Sequence, residues 1–141
     1  MTVRAILSGK GGEVKSIVPD ATVADAVKLL AQHRIGAVPV TDLTGVVGIF
    51  SERDVIYVLA REGSTALDLK IRDVMTTPAL TVDTDAPVMS ALSMMSRRRI
   101  RHLPVVEGGK MVGFVSIGDL VKYRIDRIEA EAAALREYIA S

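Results

Sequence analysis

At 141 residues the chain has the length of one compact domain, and with 49% apolar residues it can fill a core, which excludes disorder. A net charge of +1 provides no global attraction to nucleic acid or anionic lipid, and the absence of cysteine excludes disulfides, thiolate nucleophiles and cysteine metal sites. No apolar run reaches the roughly 18–20 residues needed to cross a membrane, and Met1–Leu7 lacks the long apolar core of a signal peptide, so a soluble cytoplasmic protein is expected.

The first predicted element is a short lead-in, Val3-Arg4-Ala5-Ile6-Leu7, followed by Gly9-Lys10-Gly11-Gly12, read as a flexible turn because it lacks the full spacing of a phosphate loop. Val14–Val18 is rich in β-branched residues and predicts a strand. Asp20-Ala21-Thr22 offers caps, and Val23, Ala26, Val27 and Leu30 recur at helical spacing up to His33, with Gly36 ending the helix. Ala37–Thr41 predicts a strand, with Pro39 at an end or edge. Asp42–Gly45 is a turn, and Val46–Phe50 an apolar strand expected to be buried on both faces. Ser51 caps a helix to about Arg61, with Asp54 as the third residue of a capping box.

The same order then recurs. A strand is expected at Ala79–Val82, a helix at Val88–Arg98 opened by Pro87, strands at His102–Val106 and Lys110–Val115 around Glu107-Gly108-Gly109, and a helix from Ile117. Sliding the chain by 65 residues aligns Val14–Val58 with Ala79–Tyr123 without a gap, and twelve of the 45 positions are identical, which makes this a duplicated β-α-β-β-α unit. A second lead-in, Ile71-Arg72-Asp73-Val74-Met75, matches the first at a shift of 68. Ile125, Ile128, Ala132, Leu135 and Ile139 form an apolar stripe on a tail helix, expected to pack on the domain or on a second subunit. The division expected is 1–62 for the first copy, 63–78 for the linker and second lead-in, 79–123 for the second copy, and 124–141 for the tail.

Chemistry concentrates at Ser51…Asp54 and Ser116…Asp119. Each pair ends a strand and opens a helix, where free N–H groups and the dipole suit a phosphate, and an aspartate can accept two hydrogen bonds from a ribose diol. A plain capping box explains the same residues, and the spacing leaves both readings open. Arg97-Arg98-Arg99-Ile100-Arg101-His102 is a basic run whose last two residues start a strand and turn inward, where the first copy has only Gly36 and Ala37. A nucleic-acid surface on this run is disfavoured by the absence of a helix-turn-helix pattern and by scarce aromatics. Two histidines without cysteine do not suggest a metal site, and nothing supports a Ser116–His102–Asp119 triad.

The repeat, the Ile-x-x-x-Pro-Val step and the Gly-x-x-Ser-x-x-Asp endings resemble a tandem pair of CBS domains, a Bateman module, here of the stand-alone bacterial type. The resemblance implies an α/β (α+β) fold with pseudo-twofold symmetry and a C-terminal helix, with two clefts binding adenosine-containing ligands such as AMP, ADP, ATP, NAD or S-adenosylmethionine. It implies a regulatory module rather than an enzyme, with no catalytic residue, no catalytic cofactor and no metal. A homodimer built through the helices and an unknown regulated protein are the implied partners. Carried over by motif, one cleft uses Ser51, Asp54, Ala37 and Pro39, with Thr81 and Val82 opposite. The other uses Ser116, Asp119, Arg101, His102 and Pro104, with Ser16 and Ile17 opposite. The uncharged Gly36-Ala37 step points to the Asp119 cleft as the better phosphate site, so Asp119→Ala or Arg101→Ala is expected to weaken AMP binding more than Asp54→Ala. The alternatives are a dimerisation module without ligand and a weak nucleic-acid binder acting through Arg97–His102.

Overall fold

The computed structural model describes residues 1–10 and 13–141. Its elements are α1 (Val3–Lys10), α2 (Val23–His33), β1 (Ala37–Asp42), β2 (Gly45–Ser51), α3 (Glu52–Glu62), a 3₁₀ turn (Gly63–Asp68), α4 (Ile71–Val74), β3 (Val82–Asp83), α5 (Val88–Arg98), β4 (His102–Glu107), β5 (Lys110–Ser116) and α6 (Ile117–Ala140). The protein has an α+β fold in which the 65-residue shift holds side chain by side chain. Val23, Ala26 and Leu30 form the buried stripe of α2, and Val88, Ala91 and Met95 the matching stripe of α5. Each β hairpin is antiparallel and carries its irregularity at the same step, after Val40 and after Val105.

The strand expected at Val14–Val18 reduces to a single parallel bridge, Ile17 to Val40. Ile17 is buried while Ser16 and Val18 are exposed, so only one side chain gains from pairing and Pro19 follows at once. Its counterpart is little longer: β3 pairs Val82 with Val105 and Asp83 with Val106. Contrary to expectation, β2 is not buried on both faces; among its residues only Gly48 and Phe50, two positions apart on one face, are buried. The turn expected over Gly9–Gly12 is also corrected in part: Gly9 and Lys10 close α1, while Gly11 and Gly12 lie outside the described residues.

The two lead-ins exchange partners. Val3 and Ile6 of α1 are buried in the core of the second copy, with Val88, Leu103, Val115 and Leu120. Ile71 of α4 is buried in the core of the first copy, with Val38, Phe50 and Val58. The backbone repeats the exchange. The Val3 and Arg4 N–H groups donate to the Ala86 and Thr84 carbonyls, and those of Ile71 and Arg72 to the Ala21 and Pro19 carbonyls. Arg4 then pairs with Asp85, and Arg72 with Asp20. Each half-core is thus completed by a segment from the start of the other, which ties the halves together across the pseudo-twofold axis.

The tail does not form a separate element. It continues α6 without a break for 24 residues, and Leu120 is the helix's only buried residue. The expected packing of its stripe on the domain does not occur: Ile125, Ile128, Leu135 and Ile139 are all exposed.

Candidate functional site

Two clefts open between the copies. Each is framed by a β strand that ends in the Ser-x-x-Asp corner of the following helix. At both corners the capping box is complete: the Asp54 N–H donates to Ser51 Oγ at 3.3 Å and the Ser51 N–H to Asp54 Oδ2 at 2.9 Å, and the Asp119 and Ser116 pair does the same at 3.1 and 2.8 Å. The first helical N–H is also used alike, with Glu52 donating to the Gly36 carbonyl and Ile117 to that of Arg101. The glycine of each motif admits the lead-in. A Cβ on Gly48 would lie 2.7 Å from Met75 Sδ and 2.9 Å from the Thr76 carbonyl oxygen, and one on Gly113 would collide with the Leu7 side chain.

The cleft at Asp54 holds about 1010 Å³ and the cleft at Asp119 about 470 Å³, both near the about 300–1,000 Å³ of small-ligand sites. Arg34, Ile35, Gly36 and His102 line both, so the clefts share a wall. The carboxylates are held differently. Asp54 Oδ2 also accepts from the Ser51 hydroxyl at 3.1 Å and Oδ1 from the Thr76 hydroxyl at 3.1 Å. Asp119 Oδ2 instead accepts from Lys10 Nζ at 2.7 Å, and the same ammonium donates to the Phe114 carbonyl at 2.8 Å. Burial raises the Asp119 carboxyl, but the Lys10 hydrogen bond and charge and the bonds from Ser116 outweigh it and hold the group below its ordinary value.

The sequence-derived residues separate. Ser51 and Asp54 share one cleft and Ser116 and Asp119 the other, while His102 lines both. Arg101 opens onto the Asp54 cleft, not the Asp119 cleft, and Ala37 onto the Asp119 cleft, not the Asp54 cleft. The reason is the packing of the halves: the step before each Pro-Val strand faces the corner of the opposite copy. The residues lining the smaller cleft from the segment before Ile17 are Glu13, Val14 and Lys15, rather than Ser16 and Ile17. Opposite Asp54 the lining residue is Thr76, not Thr81 or Val82. Pro39 and Pro104 are buried within β1 and β4 and line neither cleft. His102 stacks on Phe114 with ring centroids 5.6 Å apart and planes 11° apart. Burial pushes its pKa below 6.5, Lys10 and Arg101 add to this, and Glu52 and Asp119 oppose. Burial of the ring thus favours its neutral form.

The larger cleft gathers residues that the motif did not mark. Arg34, Arg53 and Arg99 join Arg101 in lining it, together with the carboxylates of Glu52 and Asp54. Arg34 and Arg99 occupy the same position in the two copies, as the helix C-caps, with φ of 52° and 55°. The left-handed residue that ends the first helix is thus Arg34 and not Gly36. The identity of Arg34 and Arg99 across the repeat was the available signal. The arrangement can accept hydrogen bonds from a diol at the carboxylate and pair phosphate with guanidinium groups. Among the described residues no cluster of three or more His, Asp or Glu side chains is placed to hold a metal ion.

Comparison with known proteins gives this fold and site a family. The sequence matches the CBS domain twice, over residues 10–61 and 71–126, and the chain belongs to that family as a tandem pair. The mitochondrial CBS domain-containing protein CBSX3 of Arabidopsis thaliana is 33% identical over 147 residues, covering 98% of this chain and 71% of that protein. A CBS-domain-containing protein from Agrobacterium tumefaciens, solved by crystallography, is similar with a TM-score of 0.84 at 36% identity, over 88% of this chain and 99% of that one. The CBS domain pair of protein MJ0100, solved in complex with 5′-methylthioadenosine and S-adenosyl-L-methionine, is similar with a TM-score of 0.78 at 26% identity, over 90% of this chain and 98% of that one. No helix among the described residues is long and apolar enough to cross a membrane.

Proposed function

We propose that the chain is a regulatory binding module for adenosine-containing ligands, which it holds in the two clefts between its CBS repeats and whose presence it passes to a partner protein. The observation that carries this reading is the duplicated Ser–Asp corner at the mouth of each cleft, a carboxylate set to grip a ribose with cationic side chains alongside. The MJ0100 pair, crystallised with two adenosine derivatives, supports the same ligand class here. Binding without catalysis is the role that fits a site built from capping boxes and arginines.

The tighter phosphate site is assigned to the Asp54 cleft. Four arginines line it, Arg101 among them, whereas the smaller cleft is lined by Lys10, Lys15 and Arg34 with Lys10 committed to Asp119. AMP, ADP, ATP and NAD are the ligands best suited to the larger space and its charge. A thermal-shift panel of AMP, ADP, ATP, NAD, S-adenosylmethionine and adenosine tests the reading, because a ligand that binds only the folded state raises the melting temperature by mass action. At a hundredfold excess over Kd the stabilisation is about 2.7 kcal/mol, and at least one phosphorylated adenosine should give it. A panel without any shift would refute the proposal.

A further inference from the structure

We infer that Lys10 makes the Asp119 cleft selective for phosphorylated adenosines over unphosphorylated ones, an inference that rests on the adenosine-binding role proposed above. Lys10 Nζ sits 2.7 Å from Asp119 Oδ2 and 2.8 Å from the Phe114 carbonyl oxygen, and the residue lines the cleft. Lys10 and the Ser116 N–H both bind Asp119 Oδ2, so a ribose hydroxyl that takes this oxygen displaces the ammonium. The displaced ammonium gives up its ion pair beside cleft walls that include the apolar Ala37, Val112 and Phe114. A 5′-phosphate supplies a new partner at once; adenosine and 5′-methylthioadenosine supply none.

The Asp54 cleft has no such device. There the second partner of the carboxylate is the neutral Thr76 hydroxyl, which can turn toward a sugar hydroxyl without leaving a charge behind. In the lead-in register of 68 the residue matching Lys10 is Pro78, which carries no cation. Lys15 and Arg34 also line the Asp119 cleft, opposed by Glu13, so the field there favours an anion once Lys10 is released.

Amide shifts of Gly113 and Ser116, which line this cleft alone, report occupancy during titration of the whole protein with AMP and with adenosine. The wild type should prefer AMP by about tenfold or more, as one charge-assisted hydrogen bond supplies. Lys10→Met should erase most of that preference by weakening AMP while leaving adenosine unchanged or tighter, and Lys10→Arg should restore it. Equal losses for both ligands in Lys10→Met, or an unchanged preference, would overturn the inference and leave the proposed function standing. Shifts confined to residues of the other cleft, such as Ser51 and Arg53, would overturn it in the same way. No shift at either cleft with either ligand would overturn both.

Discussion

Arg34 and Arg99 hold a backbone conformation that a glycine would adopt at less cost. Both cap a helix in the left-handed region, where a side chain costs about 1 kcal/mol, and both line the Asp54 cleft. Strain kept at the same site in two copies fits side chains retained for binding rather than for the turn. Arg99→Gly should therefore raise the melting temperature by about 2–5 °C while weakening binding of the best nucleotide found. A variant that is neither more stable nor weaker in binding would contradict that assignment. The glycine of the motif has the opposite character. Gly48 is needed because the Thr76 backbone carbonyl lies against it and pairs with Ile49, whereas at Gly113 the obstacle is the end of the flexible Leu7 side chain.

At the scale of elements, the exchanged lead-ins join the two repeats. Ile71 is fully buried in the first core although it opens the second repeat. Ile71→Ala should cost about 2–5 kcal/mol, and hydrogen exchange should show the loss of protection first in α2, β1 and β2. Simultaneous and equal loss in β4 and β5 would mean that the halves do not divide along these cores. Much of this level was legible in the sequence. The helices announce themselves by the spacing of Val23, Ala26 and Leu30 and of Val88, Ala91 and Met95, and the hairpins by their turns. The exchange was not legible, because Val3 and Ile71 look alike and a linear pattern does not say which copy buries which. For the same reason Arg101 was expected beside Asp119. Its chemistry was readable, but its cleft depends on how the halves cross. The single bridge at Ile17 shows the other gap: β-branched residues favour a strand, yet the neighbouring chain pairs with only one of them.

At the scale of the whole molecule, a symmetric frame carries asymmetric contents. The Asp54 cleft is larger and lined by four arginines; the Asp119 cleft is smaller and holds its carboxylate in an ion pair with Lys10. The frame also leaves an apolar stripe on α6, with Ile128 and Leu135 at 48% and 59% exposure. We propose that a second copy of the chain covers it. Sedimentation should then give a dimer that Leu135→Glu converts to monomer, and a wild type that stays monomeric across the micromolar range would rule this out. In the proposed function the Ser–Asp corners bind an adenosine ligand, with the Asp54 cleft the tighter of the two. Both corner aspartates are the third residue of a capping box, so each variant controls for the other. The most direct measurement is calorimetric titration of the wild type, Asp54→Ala and Asp119→Ala with AMP. Asp54→Ala should remove the tighter site and Asp119→Ala should leave it in place. Wild-type affinity and stoichiometry in both variants would contradict it.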